Sequence, residues 1–212
     1  MYQQENQDLL DYWNSVRGNR IAPKRVEIIP SAIGHILPVT FILEKRATEK
    51  LHFRLAGSKL CEIFGREFRS LDFLDCWPAD ERPILSTYLS QLLTDGTIVS
   101  VVFQAKSSND HIGDFEMLFL PMIHGGSTID RILGSISPIG DIPWLGLTEL
   151  DFHEITEVHI SLLRGSSLNQ QVSSAHAGSF ISNVTTLPFL PHKRLVEGKN
   201  CSLRVFEGGK TD

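Results

Sequence analysis

The feature that most limits what this chain can fold into is a double change of period. Apolar and polar residues alternate in two runs before residue 57, recur at helical steps over residues 80–95, and alternate again in three runs up to residue 139. In the first run, VTFILEK, Phe41 and Leu43 share a face. In the second, LHFRLAG, Leu51, Phe53 and Leu55 alternate with His52 and Arg54, and residues 46–50 supply the turn between the two. Then Asp80 and Pro83 open a helix in which Ile84, Leu85, Tyr88, Leu89, Leu92 and Leu93 form one stripe, with Asp95-Gly96 as its stop. Strands follow at 97–106, 114–123 and 130–139, parted by Ser107-Ser108-Asn109-Asp110 and by Gly125-Gly126-Ser127, and Phe115, Met117 and Phe119 share a face of the middle one. Two strands, a helical crossover and three consecutive strands imply an α+β domain: a five-stranded antiparallel sheet with helices on one face.

The flanks are less regular. Leu9, Leu10, Tyr12, Trp13 and Val16 define an N-terminal amphipathic helix over residues 5–16, with Gly18 behind it. Pro23, Pro30, Gly34 and Pro38 break any long element in the approach to the core, leaving room for a short strand at 26–29. Beyond Pro143 come an apolar patch at 144–147, a short segment at 155–163, a Ser-, Gln- and Ala-rich stretch expected to be disordered, and at 195–206 a candidate for a hairpin or an added sheet edge. The expected organisation is a helix and approach segment over 1–37, the sheet domain over 38–140, and an irregular, partly disordered C-terminal extension over 141–212.

The run FRLAGSKLCEIFGREFRSLDFLDCW, residues 53–77, resembles the centre of a PAS domain. There a strand enters short helices through a glycine ahead of a GRxFxxxxFLDxW-like segment; Gly65, Arg66 and Phe73-Leu74-Asp75 stand at those places. The resemblance covers residues 38–139 and is closest to an alphaproteobacterial PAS subfamily of undefined biochemical function. It implies a five-stranded sheet with a pocket between its inner face and the helices, used for small-molecule sensing, dimerisation or partner binding, and it implies no reaction. Light-sensing flavin members carry a reactive cysteine in an NCRFLQ-type segment that has no counterpart here. Haem-binding members supply a histidine from the connecting helix, where this chain has Tyr88. Neither haem nor flavin is supported, and no other cofactor is identified.

Candidate residues fall into two sets. Phe53, Phe64, Tyr88, Leu89, Phe103, Met117 and Phe119 would line an apolar pocket, although a filled core would use the same side chains. Leu9, Trp13 and Val16 form an apolar stripe that either meets a partner or folds back onto the chain's own sheet. His52 with Arg54, and Arg66 and Arg69 with Asp72, Asp75 and Asp80, are weaker candidates for anion recognition set against ordinary surface ion pairs. Cys61, Cys76 and Cys201 lack any CxxC or Cys/His spacing, and none of the eight histidines shows metal-site spacing. No catalytic residues are identified: GxSxG, GxxxxGK[ST] and GxGxxG are all missing. A net charge of −5 disfavours a phosphate backbone, and no apolar run reaches the roughly 20 residues of a membrane-spanning helix. The expectation is a cytoplasmic, non-enzymatic regulatory module, sensory or interacting, that works through a protein partner or self-association and has a pocket able to take a small apolar ligand, without nucleic acid or membrane; a ligand-free structural adaptor and an enzyme of unrecognised type are the alternatives.

Overall fold

The structure, a computed structural model, describes residues 3–46, 50–161 and 184–188. Seven strands make one sheet: β1 (Thr40–Lys45), β2 (Leu51–Ala56), β3 (Ile98–Ser107), β4 (Ile112–Met122), β5 (Arg131–Pro138), β6 (Leu150–Ser161) and β7 (Val184–Pro188). Their order is β2-β1-β5-β4-β3-β6-β7, and every neighbouring pair is antiparallel. The first five are the strands expected from alternation. β6 and β7 extend the sheet beyond β3, so β6 is longer than the short segment expected at 155–163. The β3–β4 turn forms because the Ser107 hydroxyl accepts the backbone N–H groups of Asn109 and His111 at 3.3 and 3.1 Å. The resulting register sets Val99 opposite Phe119, Val101 opposite Met117 and Phe103 opposite Phe115, placing six apolar side chains on one face.

Helices α2 (Ser58–Ile63) and α3 (Arg82–Asp95) and a single 3-10 turn at Leu74–Cys76 cover that inner face. α3 has Pro83 in its first turn, ends where the Gly96 N–H bonds to the Leu92 carbonyl, and buries Leu85, Leu89 and Leu92 at four- and three-residue steps. The core beneath is largely aromatic: Phe41, Phe53, Phe73 and Phe119 meet at centroid distances of 5.6 to 6.5 Å.

The opposite, outer face is also covered. α1 (Gln4–Arg17) lies on it and, with the chain that leads to β1, buries Leu118, Leu120, Met122 and Leu133 against Leu9, Leu10 and Trp13. The sheet therefore has a core on each side. The strand candidate at 26–29 is instead a 3-10 turn, Arg25–Glu27. Its cause is local: the Glu27 carboxylate accepts the Lys24 N–H at 2.7 Å and pairs with Arg20, which curls the backbone between Pro23 and Pro30. The Ser-rich stretch and the hairpin candidate at 195–206 lie outside the described residues.

β2 departs from simple alternation. Leu43 pairs with Phe53 but Ile42 pairs with Leu55, so Arg54 is an extra residue, a β-bulge. Leu55, expected inside with Leu51 and Phe53, is turned to the outer face beside Ile42 and remains 44% exposed. The free side of β2 is closed by the following loop: Phe53 N–H bonds to Leu71 O, Ser70 N–H to Phe53 O and Phe73 N–H to Leu51 O, at 2.7 to 3.0 Å.

Candidate functional site

Six of the seven candidate pocket residues, Phe53, Phe64, Leu89, Phe103, Met117 and Phe119, are at most 2% exposed and belong to one packed cluster; Tyr88 is half-buried at its margin. What fills the space between them comes largely from residues outside that set. Phe152 of β6 stacks on Phe64 at 4.5 Å and on Trp77 at 4.6 Å, and Trp77 meets Phe103 edge-on at 5.2 Å. Phe68 lies 4.8 Å from Phe53. The inner face is thus occupied by the protein's own rings. Phe152 sits in the charged run LDFHEITE, in which no sequence signal marked a core strand.

The N-terminal stripe is placed just as firmly. Leu9 and Trp13 have no exposed area, the Trp13 indole N–H donates to the Pro121 carbonyl at 2.9 Å, and the Arg17 guanidinium lies 5.1 Å from the Trp13 ring centroid. Val16 packs at the edge of the same cluster. The structure seats this stripe on the chain's own sheet. Beneath the start of α1 lies a buried polar network: the Glu116 carboxylate accepts the Gln3 backbone N–H at 2.7 Å, the Asn6 amide at 2.9 Å and the Ser100 hydroxyl at 3.0 Å. The Asn6 carbonyl in turn accepts the Ser135 and Ser137 hydroxyls at 2.5 and 3.3 Å. Every donor reaches a charge or a carbonyl, which is how a carboxylate that is 5% exposed is tolerated.

An open cavity of about 370 Å³ lies on the outer face, between the approach segment and β1, β2 and β5 rather than among the expected pocket residues. Ile28, Ile33, Leu37, Ile42, Leu55 and Leu133 wall it, and Arg25, Thr40 and Ser58 are its polar members. Backbone contact holds one corner in place: Gly57 N–H bonds to the Thr40 carbonyl at 2.7 Å, and a Cβ at Gly57 would sit 2.3 Å from the carbonyl oxygens of Leu37 and Pro38. A second cavity of about 150 Å³ lies between α2 and Leu145-Gly146, lined in part by Lys59 and Glu62. None of the seven candidate pocket residues lines either cavity.

The charged candidates are largely paired. Arg66 bonds to Asp151, while Asp72 and Asp75 are held by Lys50 and Arg82 at 2.8 and 3.0 Å. Arg54 is the exposed bulge residue, and His52 is half-buried with its Nδ1 unpartnered. Burial pushes the Cys76 thiol up to about 11, so it is not a ready nucleophile. Among the described residues no group of three or more His, Cys, Asp or Glu side chains is arranged to hold a metal ion, and no helix is long and apolar enough to cross a membrane.

A strand order of 2-1-5-4-3, with the second and third strands joined across the inner face by short helices and one longer helix, defines a PAS-like α+β fold. The PAS domain family matches residues 1–137, and the chain belongs to that family. Family and fold place it among sensory and regulatory modules in general. Among solved structures, it is similar to the LOV protein of Rhodobacter sphaeroides, at 16% identity over 68% of this chain and 71% of that one, with a TM-score of 0.41. It is also similar to the d2 variant of that protein, at 15% identity over 68% and 71% of the two chains, with a TM-score of 0.40. No curated protein matches it.

Proposed function

We propose that the chain is a regulatory PAS module that acts through a protein partner and performs no chemistry of its own. The observation that carries this reading is the filled inner face. Where members of the family would enclose a small molecule, Phe53, Phe64, Trp77, Phe103 and Phe152 pack ring against ring. Neither a flavin nor a haem fits among these side chains without displacing them, and the Cys76 thiol is held neutral by burial. The output then has to pass through the surface. Val26, on the 3-10 turn ahead of β1, and Ile29, just beyond it, are 80% and 56% exposed apolar side chains that α1 leaves uncovered.

The test is crosslinking in cells that express the tagged chain, comparing wild type with a Val26→Glu, Ile29→Glu double variant. Expected is one protein captured by the wild type and lost in the variant, with the circular dichroism spectrum unchanged. Capture that ignores the double substitution would remove this surface from the reading. A turnover that co-purifies with the chain would overturn the non-enzymatic assignment.

A further inference from the structure

We infer that the outer-face cavity is a binding site for a small amphiphilic carboxylate, an anionic head on a short apolar tail. A volume of about 370 Å³ falls within the range of roughly 300–1,000 Å³ usual for small-molecule sites. The walls come from four separate pieces of chain. Ile28 belongs to the approach segment, Ile42 to β1, Leu55 to β2 and Leu133 to β5, so the site exists only in the folded protein. These side chains offer a tail dispersion contacts and no competing hydrogen bonds.

The polar groups at the cavity have the right charge for one small anion. No carboxylate of the described residues pairs with Arg25; its Nη1 donates only a long bond of 3.3 Å to the Ile28 carbonyl, leaving the rest of the guanidinium fork for a ligand. The Ser58 hydroxyl is the second donor on the lining, whereas Thr40 spends its hydroxyl on the Leu37 carbonyl at 3.0 Å. One guanidinium and one hydroxyl match a monoanion. A phosphate dianion would keep an unpaired charge against an apolar wall, which the site does not compensate. The bulge at Arg54 is what brings Leu55 to this wall. This binding does not depend on the partner reading above, since it can be measured on the isolated chain.

The full chain is titrated with sodium octanoate and separately with 1-octanol, by calorimetry and by methyl NMR. Expected is one octanoate per chain, octanol at least about tenfold weaker, and shifts confined to the methyls of Ile28, Ile42, Leu55 and Leu133. Arg25→Gln should weaken octanoate about tenfold and leave octanol unchanged, while Leu55→Trp, a rim position, should fill the cavity and abolish both. The proposal fails if octanoate gives no saturable binding at millimolar concentration, if Arg25→Gln leaves its affinity unchanged, or if the shifts fall on Met117 and the inner core. Should Leu55→Trp not fold, the methyl map and the Arg25→Gln comparison decide the question alone.

Discussion

Asn6 and Glu116, 110 positions apart in the chain, are joined by two bonds from one amide: the Asn6 Nδ2 donates to the Glu116 carboxylate at 2.9 Å and to its backbone carbonyl at 3.2 Å. The first turn of α1 is thereby tied to the centre of the sheet through β4. Because the carboxylate is buried, its stability rests on having all its donors. Asn6→Ala should cost about 2 kcal/mol in chemical denaturation, since it strips a donor from a buried charge and leaves the Ser135 hydroxyl without its acceptor. A loss below about 0.5 kcal/mol would mean that the network does not anchor the helix.

The same seating governs Trp13. Trp13→Ala removes a fully buried indole and its bond to Pro121, and should destabilise the fold by about 3–5 kcal/mol. Sedimentation and denaturation of a Leu9→Glu, Trp13→Glu variant should show unfolding. A lower oligomeric mass with an intact denaturation midpoint would show that the stripe serves association instead.

Gly134 of β5 lies opposite Phe41 of β1, and the Phe41 ring lies over its backbone. A Cβ there would approach Phe41 Cζ to 2.2 Å and the Leu118 carbonyl oxygen to 2.5 Å. Gly134→Ala should therefore cost at least about 1–3 kcal/mol by overpacking, with Phe41→Leu partly restoring stability in the double variant. Additive losses in that cycle would disprove the contact.

Glu81, ahead of α3, is 7% exposed, and its Oε2 has no hydrogen-bond partner. Burial pushes its carboxyl above the ordinary value, opposed by the Ile155 N–H and by His153, and aided by Asp80 and Glu154. The folded state thus holds this proton more tightly than the unfolded chain, a contribution complete below the usual glutamate range of about 4.3 and lost as pH rises through the elevated value. Glu81→Gln should raise the melting temperature relative to wild type at pH 7, with the gain shrinking toward pH 4. A gain independent of pH would show that the carboxyl is not the cause.

Cys76, with its thiol at about 11, has only about one thiolate in a thousand at pH 8. Iodoacetamide at pH 8 should modify it about 100-fold more slowly in the native protein than in denaturant, as read by peptide mass mapping. Comparable rates would indicate an accessible, activated thiol.

α3 was legible because it buries one stripe, and the five central strands because their inner-face residues recur at two-residue steps between clear turn signals. The cover on the outer face was legible in principle. In β4, Leu118, Leu120 and Met122 interleave with Phe115, Met117 and Phe119, and apolar residues on both parities mean burial on both faces. Asn6, Ser100, Glu116, Ser135 and Ser137 hid that cover, since polar residues at outer positions read as solvated until their mutual bonds are seen. β6 escaped because its register slips twice against β3, between Val102 and Phe103 and between Gln104 and Ala105, which erases the two-residue period around Phe152. The cavity could not be read at all: its walls are assembled from distant segments, and Leu55 reaches it only through the bulge.

That bulge has an evolutionary consequence. Upstream of Arg54, Leu51 and Phe53 answer to the aromatic core, where a change of one methylene is felt throughout the packing. Downstream, Leu55 lies outside that core, exposed at the cavity wall. A single inserted residue has split one strand into a half bound to the core and a half free of it. Selection can try a larger, smaller or polar side chain at position 55, and so change what the outer face accepts, without asking the fold for permission.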